Sequence, residues 1–446
     1  MRTATRLSFL LLRRGGDASR MSLALPVVAF AVVTALALTV LGGARFFFTI
    51  EGMDAPIYQA LAALAVTLLL IPLLTLCGSA ARLSARRRDQ HLSTLRLLGA
   101  PTRTITSMTV LESTVLAAVG TGLGIVGHVA LAPLLGLLTF HGEQLGAGNI
   151  LLGVGGTLAC AVGLLVMAAA SAVIGLRGVV VSPLGVRTRS EAPRMSWARA
   201  VAVVVALGAG LLASQALRID QGTVALVSGI VVAFGLTMAV LNLVGPWVLG
   251  LVARVQVRRA GGRLVAERLL AARTVLDAPK AAWRQVSGVA LTSFVAVFAG
   301  VGVAVTNVMA AGAASTEEDL LLVDLRTGIV LTLVISFVTV AASVAVNQAS
   351  DILDRRELFT SLERMGMSLE SMDRARRRAV LSPLRVVAVG SAAAAGLLVL
   401  PLTGMVLLTD PLSLVIIVAL LAAGIGVVWL ALRATSPLLT RVASRV

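Results

Sequence analysis

The chain has 446 residues, of which 58% are hydrophobic and only 13% charged, with a mean hydropathy of +0.97. A soluble domain of that composition lacks the polar surface to cover itself, and continuous rather than alternating apolar runs argue against a transmembrane β-barrel. The net charge of +17 does not point to a nucleic-acid partner, because nearly all the basic residues fall in short loops between apolar runs.

A helical span needs about 20 mostly apolar residues to cross the hydrocarbon layer. In chain order such runs lie at 21–44, 56–81, 105–139, 149–176, 199–217, 222–253, 285–312, 325–349, 379–402 and 411–432. The first follows Arg13, Arg14 and Arg20 and is too long for the apolar part of a cleavable signal. Of the 38 basic residues, 35 fall in the two termini and in every second connection, leaving Arg45, Arg218 and Arg326 on the other side. Because basic residues are retained on the cytoplasmic side, this division predicts ten spans with both termini in the cytoplasm. The expected setting is the cell membrane, with the lipid bilayer as the surrounding partner. The outer loops are short and acidic, holding Glu51, Asp54, His141, Glu143, Asp220, Glu317, Glu318, Asp319, Asp324 and Asp410. None is long enough to fold as a domain.

The inner connections differ in kind. Residues 2–14 and 263–276 have helical period, with apolar and arginine faces suited to the membrane surface. The stretches 82–104 and 351–378 read as charged amphipathic helices, and 181–198 as a linker. The chain repeats this layout. Each half has an interfacial helix, two spans around an outer loop, a charged inner helix and two more spans. The predicted fold is therefore all-α and polytopic, with two pseudo-repeated four-helix units and two connecting helices. The domains are 1–180, 181–262 and 263–446.

The two inner helices also align. Arg88 matches Arg355, Gln90 matches Glu357, Leu95 matches Leu362, Leu98 matches Met365 and Gly99 matches Gly366. Leu92, Leu95 and Leu98 recur at the spacing of one helix face. The glycine that follows accepts the left-handed geometry that ends a helix. A stiff helix held outside the membrane between two long spans gives a soluble partner something to grip.

At these residues the chain resembles the FtsX-like permease family, the membrane subunits of MacB-type ABC transporters. That family carries an Arg-Glu-x-x-x-x-Leu-Arg-x-x-Gly-Ala-like pattern between its second and third spans. Arg88 to Ala100 is similar to it, with Gln90 where glutamate is usual, and Arg356-Glu357 through Leu362 and Gly366 is similar again. Glu112 matches an acidic position near the start of the third span, whereas the second copy has Ala379 there. The resemblance implies that two ABC ATPase subunits dock on one permease chain. The implied coupling residues are Arg87, Arg88, Leu92, Leu95, Leu98, Gly99, Arg356, Glu357, Leu362, Met365 and Gly366. The two-unit, ten-span layout resembles the bacitracin-resistance permeases, but without their large extracellular domain.

The chain has no Gly-x-x-x-x-Gly-Lys-Ser/Thr run, and its one lysine, Lys280, stands in Ala-Pro-Lys-Ala. No catalytic site of its own and no bound metal or cofactor are expected. ATP and Mg would sit on the partner ATPase. Within the spans, Glu112, His128, Asn307 and Asn347 are the candidate polar residues, and Asn242 and Gln348 read as interhelical glue. Cys77 and Cys160 lie in apolar runs and read as free, buried thiols. Gly120, Gly122, Gly124 and Gly127 place small residues along the third span. Apolar walls favour export or membrane extraction of an amphiphilic drug, peptide or lipid. The other readings are a signalling relay to an outer-face enzyme or sensor, and an ion-coupled secondary carrier.

Overall fold

The computed structural model describes residues 17–51, 55–86, 102–140, 142–181, 240–241, 243–258, 266–310, 316–354, 361–398 and 412–435. The elements are α1 (Asp17–Phe47), α2 (Ala55–Arg86), α3 (Thr102–Leu135), the two-residue strands β1 (Thr139–Phe140) and β2 (Glu143–Gln144), α4 (Ala147–Ile150) and α5 (Val154–Val181). Residues 243–258 form α6. Then come α7 (Ala266–Asp277), α8 (Pro279–Ala310), α9 (Thr316–Asp354), α10 (Leu369–Leu398) and α11 (Leu412–Ala434).

Among the described residues, seven stretches are long and apolar enough to cross a membrane: Ala24–Phe47, Ala55–Ala81, Val110–Leu135, Val154–Val173, Ala282–Ala304, Leu320–Ile352 and Leu369–Leu397. A shorter apolar stretch, Val418–Ala434, lies in α11. The protein is thus an all-α, multi-pass membrane protein. The predicted span 199–217 and the predicted interfacial helix 2–14 lie outside the described residues. The predicted span 222–253 is described only from residue 240 onward.

Two boundaries differ from the sequence expectation. Helix α9 begins at Thr316, so Glu317, Glu318 and Asp319 form its first turn and Asp324 is helical and buried, rather than part of an outer loop. Carboxylates at a helix start are favoured by the helix dipole, and Leu320 to Leu322 already supply apolar surface. Helix α10 begins at Leu369, ten residues ahead of the predicted span. Its arginine-rich first turns continue into the apolar run without a break because Asp373 bridges both Arg376 and Arg377 along the helix.

The chain forms two compact units. The first comprises Met1–Phe46, Leu73–Thr139 and Gln144–Thr188. Within it, α3 lies close to α1 because glycine permits it. A methyl group at Gly120 would meet the Val27 carbonyl oxygen and the Phe30 Cβ at 2.6 Å. At Gly124 it would meet the Ala31 carbonyl oxygen and the Thr34 Cβ at 2.5 Å. Small residues four apart let helix backbones approach in a medium where apolar burial supplies no force. Gly122 faces the other way, with nothing near it. Cys77 and Cys160 belong to this unit and are free thiols, the first buried and the second half-buried.

The second unit comprises Phe47–Pro72, Phe140–Glu143 and Arg189–Val446. Helix α8 is its axis, with about four-fifths of its apolar stretch buried. Val286, Val289 and Ala290 of α8 pack with Val340 and Val344 of α9, and with Leu384 and Val387 of α10. Further along, Phe294 packs with Leu68 of α2, Leu333 of α9 and Ala395 of α10. Helix α7 buries Ala271, Ala272 and Val275 against the protein, with Val275 in the same core as α8 and α10. Helix α9 has 39 residues, a length of about 58 Å at 1.5 Å per residue. That exceeds the roughly 45 Å of a bilayer with its headgroups, so the helix is longer than an upright crossing requires.

Candidate functional site

The described part of the second charged segment is a helix–glycine–helix unit in the second compact unit. Residues 361–364 are helical, Gly366 has φ +87°, and α10 starts at Leu369. The Met367 amide donates to the Leu362 carbonyl (3.0 Å) and the Gly366 amide donates to the Glu363 carbonyl (2.9 Å). This pair of bonds is the Schellman cap, which satisfies carbonyls that a helix end would otherwise leave open. Leu362 and Met367 pack together with Leu369 on buried Ile352 and Met372, which is the apolar contact that usually accompanies the cap. The turn is therefore anchored on both α9 and α10. No atom stands within 4 Å of where a Gly366 Cβ would be, so backbone strain alone opposes a side chain. Gly366→Ala is expected to destabilise the turn by about 1–2 kcal/mol. Faster amide exchange at Gly366 and Met367 would register it, and Gly366→Asn should recover most of the loss.

Of the other expected coupling residues, Met365 is 73% exposed at the tip of this turn and Leu362 is half-buried beneath it. Arg87, Arg88, Leu92, Leu95, Leu98 and Gly99 lie outside the described residues, as do Arg356 and Glu357.

Below the turn, four helices are joined through one arginine that sequence reasoning did not single out. Arg376 has a side chain only 8% exposed. Its Nη2 donates to Asp373 (2.9 Å) and to the Leu432 carbonyl (3.3 Å), and its Nη1 donates to Thr435 (3.1 Å) and to Gln348 Oε1 (3.4 Å). Gln348 in turn donates to Gln285 Oε1 (3.2 Å). The network thus joins α10, α9, α8 and the end of α11. Arginine suits it because its planar fork can address two directions at once. A cavity of about 80 Å³ lies between this network and Leu362, with Thr274, Gln285 and Asp351 on its walls. It has room for a few waters and is well short of the roughly 300 Å³ of a drug-sized pocket.

The intramembrane candidates divide. In the first unit His128 is 2% exposed, and its Nδ1 lies 3.0 Å from the Thr39 hydroxyl of α1. Its Nε2 is buried without a hydrogen-bond partner. An unmatched lone pair costs less than an unmatched N–H, so the favoured tautomer has Nδ1–H donating to Thr39. Glu112 is half-buried near the start of α3. Asn347 reaches only Ser343 of its own helix, at 3.5 Å. Gln348, one residue on, makes the interhelical bonds. Asn307 lies in α8.

A second buried polar pair stands at the opposite end of α9. The Tyr58 hydroxyl donates to Asp324 Oδ2 at 2.7 Å, and the two residues are 5% and 4% exposed. The Tyr58 ring stacks on Phe47 at 6.2 Å, and Phe47 meets Phe140 edge-on at 5.1 Å. The chain's one tyrosine therefore closes an aromatic group over a carboxylate.

These features define a helical membrane protein whose long spans are tied at one end to a capped, charged turn. Residues 79–183, from the end of α2 through α5, match the family model of the FtsX-like permease C-terminal domain. The chain thus carries a segment similar to the C-terminal domain of FtsX-like permeases. No curated protein matches the chain.

Proposed function

We propose that the chain is the permease through which a separate pair of ABC ATPases drives export, or extraction from the membrane, of an amphiphilic drug, peptide or lipid. ATP and Mg are bound by those ATPases. The observation that carries the reading is the FtsX-like match over residues 79–183, because it spans the charged segment 82–104 between two long apolar helices. The second segment, ending in the capped turn at Gly366, is read as the equivalent dock. The proposed arrangement has two four-span units at 1–180 and 263–446, joined by two spans, in the cell membrane with both termini cytoplasmic.

Co-purification tests it. Reversing Arg87, Arg88 and Arg356 to glutamate together with Glu357→Arg is expected to abolish recovery of an ATPase with the chain, and undiminished recovery would overturn the docking role. In vesicles holding chain and ATPase, ATP-dependent efflux of an amphiphilic dye is expected. Intact ATPase coupling without efflux would instead favour the signalling relay.

A further inference from the structure

We infer that Arg376 is a positioning residue that makes the capped turn and the ends of α8, α9, α10 and α11 one moving body. The inference rests on the docking role of that turn for its purpose, though not for its geometry. Three observations carry it. The arginine lies on the apolar stripe of α10, one helical turn after Met372 and one before Val380, where a charge needs partners; both terminal nitrogens have them, while Nε is buried without one. Its Nη1 donates to Gln348 of α9 and to Thr435 at the end of α11, and its Nη2 to the Leu432 carbonyl of α11 and to Asp373 of α10. Met372, four residues before it on α10, is 1% exposed and packs with Leu362 and Met367 of the turn. A push on the turn therefore reaches Ile352 of α9 and Met372 of α10 directly, and Arg376 passes it to the end of α11. Gln348 extends the same link to Gln285 of α8. Without Arg376 the turn would still bear on Ile352 of α9 and Met372 of α10, but its link to the end of α11 would rest on apolar packing alone.

The test uses the full chain in lipid nanodiscs, with Cys77 and Cys160 replaced by alanine and spin labels on Glu363→Cys and Ala434→Cys. The intact network is expected to give one narrow distance distribution between turn and α11. Arg376→Gln and Arg376→Lys are both expected to broaden it, because one ammonium cannot hold Asp373 and the end of α11 together. Arg374→Gln, which removes an exposed arginine paired with Glu370 and Ser371 rather than with Asp373, is the control and should stay narrow. A wild-type width in Arg376→Lys overturns the inference, even if Arg376→Gln fails to fold. A second readout separates transmission from mere structure. In Arg376→Lys, binding of the co-purifying ATPase should be unchanged while the chain's stimulation of ATP turnover falls about tenfold, the effect of losing one charge-assisted hydrogen bond. Unchanged stimulation also overturns the inference. If no ATPase co-purifies with the wild type, the proposed function falls, and the spin-label widths still decide the role of Arg376.

Discussion

Gly124→Leu is expected to drive α1 and α3 apart and to lower the stability of the first unit by about 3 kcal/mol, at the upper end for overpacking a closely fitted contact. The reason is where the new atoms would go. Even a methyl group at Gly124 would stand 2.5 Å from the Ala31 carbonyl oxygen, which cannot rotate away as a side-chain end could. The helices would have to separate, and with them the Thr39–His128 contact (3.0 Å) and the Thr34–Thr121 contact (3.5 Å). Gly122→Leu is the matched control. It makes the same chemical change on the same helix two residues away, at an exposed position with nothing within 4 Å. There leucine should be neutral or slightly stabilising, since glycine is the poorer helix former. Unfolding by titrated denaturing detergent should show a large difference between the two variants. Equal stabilities would mean that the α1–α3 approach is not what holds this unit.

Tyr58→Phe is expected to destabilise the second unit by about 1.5–3 kcal/mol, the range for a hydrogen bond to a charged group. The substitution keeps the ring, its stacking on Phe47 and its volume, and removes only the hydroxyl that donates to Asp324. A carboxylate 4% exposed cannot recover that bond from bulk water. Asp324→Asn weakens the same bond from the other side by removing the acceptor's charge. In the double variant the losses should therefore not add, and the shortfall measures the pair directly. Strict additivity would show that the two groups do not interact. The pair and the Arg376 network lie at opposite ends of α9, so a helix without an internal proline or break connects them.

Several features were legible in the chain itself. The apolar runs and the one-sided arginines point to a multi-pass helical membrane protein, because a lipid environment leaves few other ways to satisfy a backbone. Gly366 was readable as a helix stop, because a left-handed φ is a local property that glycine alone meets without strain. The Gly120 to Gly127 stretch was readable as close packing, but not which glycines do it. Gly120 and Gly124 touch α1 while Gly122 faces away, and that depends on how α3 is rotated against a helix some ninety residues earlier.

Arg376 shows the boundary most clearly. Among Arg374, Arg376, Arg377 and Arg378 the composition is uniform, and a run of arginines beside a span reads as a solvated, cytoplasm-facing edge. Helical spacing places Arg376 in line with Met372, Val380 and Leu384, a clue available from the order of residues. Its partners Gln348, Leu432 and Thr435 are tens of residues distant in the chain, so only the packed bundle could supply them. Asp324 was assigned to an outer loop for the same reason. Its burial depends on Tyr58, 266 positions away. The order of residues is enough to say what each segment does alone: cross a membrane, stop at a glycine, or carry charge to one side. Which polar groups are paired in the interior emerges only in the packed bundle, because hydrogen bonds between helices are set by rotation and depth, which no single segment encodes.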